Sequence, residues 1–284
     1  MFFHKAAILG VGLIGASLAL ALKKYHIAGT VVGYGRTQGN LVRAREQSII
    51  DSFESDAAKA CENADLVVFA TPVGAFVDIA QQISPVLKKG GIVTDVGSVK
   101  GSLVREMERL LSPRGLFIGG HPIAGSDRSG IETASADLFM RAQCIVTPTR
   151  NSDKDALEKI VWMWREIGCS VAIMKPEEHD RIYAAVSHLP HLLAYELMHM
   201  VADINVSYLA FTGQGFKDTT RIASSHPELW RDICIQNREN LIACIEVLKH
   251  NLDRVADYLR EDDGESLLAD FQRARTLRER IGQD

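Results

Sequence analysis

Three short segments carry the residue types that could do chemistry. In Gly119-Gly120-His121-Pro122-Ile123-Ala124-Gly125-Ser126 an imidazole stands between two glycines and a proline. That setting reads as a turn and exposes His121 to a crevice, where it can titrate near neutral pH as a general base. Asp95-Val96-Gly97-Ser98-Val99-Lys100 offers the Ser98 hydroxyl, which can hydrogen-bond the reacting oxygen or orient His121. A simpler role for Ser98 is to cap a helix starting at Gly101. Gly213-Gln214-Gly215-Phe216-Lys217-Asp218-Thr219-Thr220-Arg221 is a glycine-bounded turn ending on a guanidinium. Arg221 there suits a substrate carboxylate, and an ion pair with Asp218 is the alternative.

A base and an anion anchor acquire a reaction from the N-terminal segment. Gly10-Val11-Gly12-Leu13-Ile14-Gly15 follows a strand-like run and opens a helical one. That is the context in which G-x-G-x-x-G binds a dinucleotide. Gly10 permits the tight turn, Gly12 the approach of a pyrophosphate, and Gly15 close packing of helix on strand. The first helical N–H groups, from Leu13 and Ile14 onward, face the phosphates. NAD enzymes usually end the second strand on an acid, whereas here Tyr34 is followed by Gly35, Arg36 and Thr37. A guanidinium can bind a 2′-phosphate that an acid would repel, so NADP is expected over NAD. In the alternative, Arg36 stacks on adenine and both cofactors are used. Thr71 and Pro72, after the strand Leu66–Ala70, complete the expected cofactor set.

Positioning these residues takes two kinds of architecture. Up to residue 174, β-branched runs alternate with amphipathic stretches: Ala6–Leu9, Thr30–Tyr34, Leu66–Ala70, Gly91–Asp95, Phe117–Gly119, Ile145–Pro148 and Ser170–Met174 read as strands. Strands separated by helices predict an α/β domain with a Rossmann-type, mostly parallel sheet over 1–174. After Lys175-Pro176 the strand signals give way to helical periodicity, which predicts an all-α domain over 175–284. Ser187-His188-Leu189-Pro190-His191 interrupts a helix, where Pro190 leaves the Val186 carbonyl unpaired and bends the axis. His188, His191, Tyr195 and His199 share one face, but no flanking carboxylate suggests a metal site, and none is expected. Leu241, Ile245, Leu248, Leu252, Val255 and Leu259 form a coiled-coil-type seam. A helix over 228–260, about 50 Å long at 1.5 Å per residue, is expected. A seam that long predicts a homodimer; a monomeric hairpin covered by Leu267, Phe271 and Leu277 is the alternative.

Composition narrows the function classes. The chain has 284 residues with 32 Lys+Arg against 36 Asp+Glu and no basic block, which argues against nucleic acid. No apolar run approaches a membrane span, and the N-terminus lacks a signal-peptide pattern. Five cysteines without C-x-x-C spacing read as reduced thiols of a cytoplasmic protein.

Together these segments resemble the prephenate/arogenate (cyclohexadienyl) dehydrogenase family of tyrosine biosynthesis. The matching residues are Gly10–Ser17, Asp95–Lys100, His121-Pro122-Ile123-Ala124-Gly125, Ser187-His188-Leu189-Pro190-His191 and Gly215–Ala223. The resemblance implies an oxidative decarboxylation of prephenate or arogenate, in which His121 takes the hydroxyl proton and Ser98 assists it and touches the nicotinamide side of the cofactor. It further implies that Arg221 holds the ring carboxylate and His191 faces the side chain, a histidine that leans toward prephenate. Ser126, Gly215, Asp218 and Trp230 match positions near the pocket. With no appended regulatory segment expected at either end, tyrosine feedback would act at the active site or through the dimer. Two rivals remain: a β-hydroxyacid-type dehydrogenase, which would use a helical-domain lysine where histidines stand here, and a non-catalytic NADP-binding sensor. Intact Ser98, His121 and Arg221 argue against the second.

Overall fold

The computed structural model describes residues 2–112, 114–125 and 130–281, and the chain divides into two compact units, Met1–Arg238 and Glu239–Asp284. The first unit opens with β1 (Phe3–Leu9), α1 (Leu13–Lys24), β2 (Ala28–Tyr34), α2 (Gln38–Glu46), β3 (Ser52–Glu54), α3 (Ala57–Cys61), β4 (Leu66–Phe69) and α4 (Phe76–Ile83). It continues through β5 (Gly91–Asp95), α5 (Gly101–Leu111), β6 (Gly115–Ile123), β7 (Gln143–Thr147), α6 (Lys154–Glu166) and β8 (Ser170–Ile173). The eight strands form one sheet in the order β3-β2-β1-β4-β5-β6-β7-β8, parallel except where β7 runs against β6. This is the expected Rossmann-type sheet.

Helices cover both faces, so successive strand residues are buried in opposite layers. Ala6 and Ile8 of β1 join Leu66 and Val68 of β4 in a layer with α1 and α6. Ala7 and Leu9 join Val67 and Phe69 in the other layer, against α3, α4 and α5. Each fully buried aliphatic side chain contributes about 1.5–3 kcal/mol, which is why the strands read as unbroken apolar runs. The strand order reverses between β1 and β4, the switch point at whose carboxyl ends ligands of open α/β sheets bind.

Helices α7 (Pro176–Tyr183), α8 (Leu189–Asn205), α9 (Gln214–Thr220) and α10 (Pro227–Gln236) complete the first unit. Between α7 and α8 the segment Ala184–His188 is a π turn. That wider turn accommodates Pro190, which lacks an N–H and would collide with the preceding carbonyls in a regular helix.

Three expectations are corrected. β3 carries no periodic signal in three residues and was not anticipated. His121 does not lie in a turn: β6 continues through it to Ile123, with His121 opposite Ile145 of β7. The helix expected over 228–260 is broken at Asn237, whose amide donates to the Asp180 carbonyl at 2.8 Å and pairs with His188 Nδ1 at 3.0 Å. Those two bonds hold Asn237 out of helical geometry.

The second unit contains α11 (Arg238–Arg260) and α12 (Gly264–Arg278), joined by an ion pair of 3.3 Å between Arg254 and Asp270. At 23 residues, α11 is about 35 Å long. Along the seam Leu252 and Leu259 are exposed, and so are Phe271 and Leu277 of α12. The hairpin therefore does not seal its own apolar stripe.

Candidate active site

The glycine segment forms a cradle at the carboxyl end of β1. Gly10 has a φ of +108°, and a Cβ there would lie 2.5 Å from the Ala70 carbonyl. A Cβ on Gly15 would sit 2.0 Å from the Gly10 oxygen, so α1 can pack this closely only on glycine. Gly12, by contrast, faces open space. No side chain caps α1 and no acid stands in its first turn, so the N–H groups at Leu13 and Ile14 keep their positive end for an anion. Beside the cradle, Thr71 Oγ1 is buried with no hydrogen-bond partner among the described residues. The open approach to the Gly12 backbone, an uncapped helix and an orphaned hydroxyl fit a nicotinamide dinucleotide. Pro72 is exposed next to Thr71, and Arg36 and Thr37 are exposed just past the end of β2.

The loop after β5 is held from below by a buried ion pair. Lys100, fully buried, places Nζ 2.5 Å from Asp95 Oδ2, 2.8 Å from the Gly97 carbonyl and 3.1 Å from that of Val99. Asp95 in turn accepts the N–H groups of Gly97 and Gly120. The pair thus ties the Ser98 loop to β6, one residue from His121. Ser98 is not the cap of α5: that position falls on Lys100 and has no side-chain bond.

His121 is buried, and its Nδ1 lies 2.8 Å from His179 Nε2. His179 Nδ1 lies 2.8 Å from Asp180 Oδ1, which accepts the Lys100 N–H at 2.7 Å. Tyr183 stacks on His179 at 4.5 Å and lies 4.9 Å from His121. Burial, then the neighbouring His179, Lys100 and His188, hold the His121 imidazole well below its usual value. His179 is likewise pushed down by burial, against the pull of Asp180. A neutral imidazole can accept a proton; a permanently charged one cannot.

A line of rings leads outward from this centre. His188, buried and pushed down to about 4 chiefly by burial, lies 6.1 Å from Trp230. Trp230 stacks on His191 at 3.6 Å, and the Arg221 charge helps lower the His191 imidazole, after burial. The Ser98 backbone also bonds the His188 ring, so His121, Ser98, His191, Trp230 and Arg221 belong to one region. Gly215 is exposed on α9, where its carbonyl accepts the Thr219 hydroxyl. Ser126 lies outside the described residues. Sequence reasoning missed His179, Asp180, Lys100 and Asn237; the Glu177-Glu178-His179-Asp180 run resembled an ordinary acidic helix start. Among the described residues no three His, Cys, Asp or Glu side chains cluster as a metal site.

A parallel sheet with a glycine cradle at the end of β1 and a neutral histidine on β6, beyond β4 and β5, defines a nicotinamide-dependent dehydrogenase. Residues 18–173 match the model of the prephenate dehydrogenase nucleotide-binding domain, and 175–273 that of the prephenate dehydrogenase dimerization domain. The chain therefore belongs to the prephenate dehydrogenase family, a family of oxidoreductases. It is 34% identical to cyclohexadienyl dehydrogenase of Zymomonas mobilis over 97% of this chain and 95% of that one. Identity to the prephenate dehydrogenase of Bacillus subtilis is 33%, over 95% of this chain and 74% of that protein. The crystal structure of A. aeolicus prephenate dehydrogenase in complex with hydroxyphenyl propionate and NAD+ superposes with a TM-score of 0.94 at 35% identity, covering 99% of each chain. No helix among the described residues is long and apolar enough to cross a membrane.

Proposed function

We propose that the chain oxidatively decarboxylates prephenate, accepting arogenate as well, with NADP as the hydride acceptor. The observation that carries this reading is His121: a buried imidazole held neutral on the same sheet as the glycine cradle, with β4 and β5 between them. When bound, the oxidised nicotinamide supplies a two-electron acceptor for the hydride leaving the substrate's carbinol carbon. His121 takes the hydroxyl proton, and Ser98 hydrogen-bonds the same oxygen. Loss of carbon dioxide from the opposite ring carbon leaves its electron pair in the ring, which becomes the phenol of 4-hydroxyphenylpyruvate, or of tyrosine from arogenate. Arg221 pairs with the ring carboxylate and His191 faces the side chain, with Ser126, Gly215 and Trp230 bordering the pocket. Incubation with prephenate and NADP should produce reduced cofactor, carbon dioxide and 4-hydroxyphenylpyruvate; no turnover of prephenate or arogenate would overturn the assignment.

Gly10, Gly12, Leu13, Ile14, Gly15, Thr71 and Pro72 bind the dinucleotide in this reading, and Arg36 with Thr37 binds the 2′-phosphate. Arg36→Ala should raise the KM for NADP by about 10-fold or more, the value of one charge-assisted contact, and leave that for NAD nearly unchanged. A wild-type preference for NAD would refute the NADP assignment.

In this reading residues 1–174 hold the cofactor and 175–284 the substrate and a second copy of the chain. The exposed Leu252, Leu259, Phe271 and Leu277 supply the apolar surface of a homodimer. Leu252→Asp with Phe271→Asp should convert a dimer to a monomer in analytical ultracentrifugation. Five free thiols, three of them buried, suit a cytoplasmic enzyme.

A further inference from the structure

The His121–His179–Asp180 line contains more information than the presence of a base. A carboxylate oxygen accepts hydrogen bonds and does not donate them. Asp180 Oδ1 already receives the Lys100 N–H at 2.7 Å, so its 2.8 Å contact with His179 Nδ1 requires the proton on that nitrogen. His179 Nε2 then carries a lone pair, and its 2.8 Å contact with His121 Nδ1 requires the proton on His121 Nδ1. We propose that His179 and Asp180 are positioning residues that fix His121 in the Nδ1–H tautomer, leaving Nε2 as the only nitrogen able to take the substrate proton. The inference deepens the assignment of His121 as the base and rests on it for its catalytic meaning.

The relay is held at both ends. Asp180 sits at the amino end of α5, where its charge is favoured by the helix dipole and its oxygen satisfies the first N–H. A Cβ on Gly101 would lie 2.5 Å from Asp180 Oδ2, so glycine is what lets the carboxylate approach. Asn237 grips the Asp180 carbonyl, and Tyr183 stacks against the His179 ring. At the other end His121 is part of β6, paired with β7. Neither ring can turn over without breaking a bond at its neighbour.

The groups facing this pair come from every packed element: Asp95 and Lys100 from β5 and its loop, Tyr183 from α7, His188 from the π turn, and the Cys144 thiol from β7. Burial comes first for both rings; Lys100 lowers both, His179 and His188 lower His121, and Asp180 and Asp95 pull His179 the other way without offsetting the burial. A protonated His179 would donate from Nε2, reverse the bond, and put the His121 proton on the catalytic nitrogen. When Nε2 of His121 gains the substrate proton, the bond from Nδ1 to neutral His179 shortens the reach of the new charge to Asp180.

Nitrogen-15 NMR of histidine-labelled protein, with His121 identified from the resonances missing in His121→Asn, reads the tautomer directly. The expected signature in the unmodified protein is a protonated Nδ1 and a bare Nε2 on His121. Replacement His179→Leu should bring an Nε2–H population to His121 and lower kcat by about 10–100-fold, by analogy with the loss of the partner that orients a metal-binding histidine. KM should change little. His179→Gln restores an acceptor near Nε2 and should recover most of the lost rate; it also serves if the leucine variant does not fold. An Nε2–H tautomer in the unmodified protein, or wild-type kcat in a folded His179→Leu, would overturn the proposal. The NMR outcome does not depend on turnover, so a failed prephenate assay would remove the proposed function without deciding the tautomer.

Discussion

Replacing His121 by asparagine is expected to reduce kcat by about 10²–10⁴-fold, the usual contribution of a general base, while the dissociation constant of the dinucleotide stays unchanged. The two effects separate because His121 lies on β6, with β4 and β5 between it and the glycine turn that follows β1. Asparagine keeps a polar group of similar size against His179, so the loss reports the missing proton acceptor rather than a cavity. The pH dependence has a defined sign. Protonation inactivates the base, so rate falls as pH decreases, and burial moves that fall well below the ordinary imidazole value of 6.5. The unmodified enzyme should therefore hold its kcat/KM from neutrality down past pH 6.5, and His121→Asn should lack this acid limb. Single-turnover kinetics across pH with cofactor saturating would check both points; normal turnover by the variant would remove His121 from the mechanism.

The largest stability effect is expected at Lys100. Its ammonium is fully buried against Asp95, which is 1% exposed, so neither charge can recover water when the other is removed. Lys100→Met keeps the length of the side chain and deletes the charge. Breaking one side of such a pair destabilises by about 3–5 kcal/mol, because the abandoned carboxylate stays buried. Asp95 keeps the Gly97 and Gly120 N–H groups, at 2.8 and 3.1 Å, which favours the lower part of that range. Denaturant unfolding followed by circular dichroism should show the lowered midpoint. The same variant frees the Gly97 and Val99 carbonyls that Lys100 ties down, so kcat should fall through misplacement of Ser98. An unchanged midpoint would show that the pair does not hold this loop.

Much of the architecture was legible because its signals are local. The strand ends at Leu9, Tyr34 and Asp95 appear where apolar runs meet glycine or polar residues, and the glycine spacing of Gly10, Gly12 and Gly15 reflects contacts within one turn of chain. The five-stranded stretch from β2 to β6 is parallel because helices separate the strands, a pattern visible in one dimension. Two long-range effects were not. β6 runs on through Gly119-Gly120-His121-Pro122 because β7 returns antiparallel beside it, overriding a local sequence that otherwise makes a turn. The helix expected from residue 228 stops at Asn237 because Asp180 and His188, 57 and 49 residues away, take its amide.

The sequence alone determined the chemical inventory: a glycine turn of dinucleotide-binding spacing at Gly10–Gly15, His121 as candidate base, Ser98 and Arg221 as its candidate partners in the site, and a change from α/β to all-α after residue 174. These follow from residue type and from periods of two, three or four residues, which propensity and sterics set locally. Only the tertiary structure decided what surrounds His121. His179, Asp180, Lys100 and Asn237 have no motif of their own, and polar residues normally face water. They matter here because folding buries them together, where lost hydration must be replaced by hydrogen bonds and each bond constrains the next. That replacement is a property of the assembled core, not of any stretch of chain.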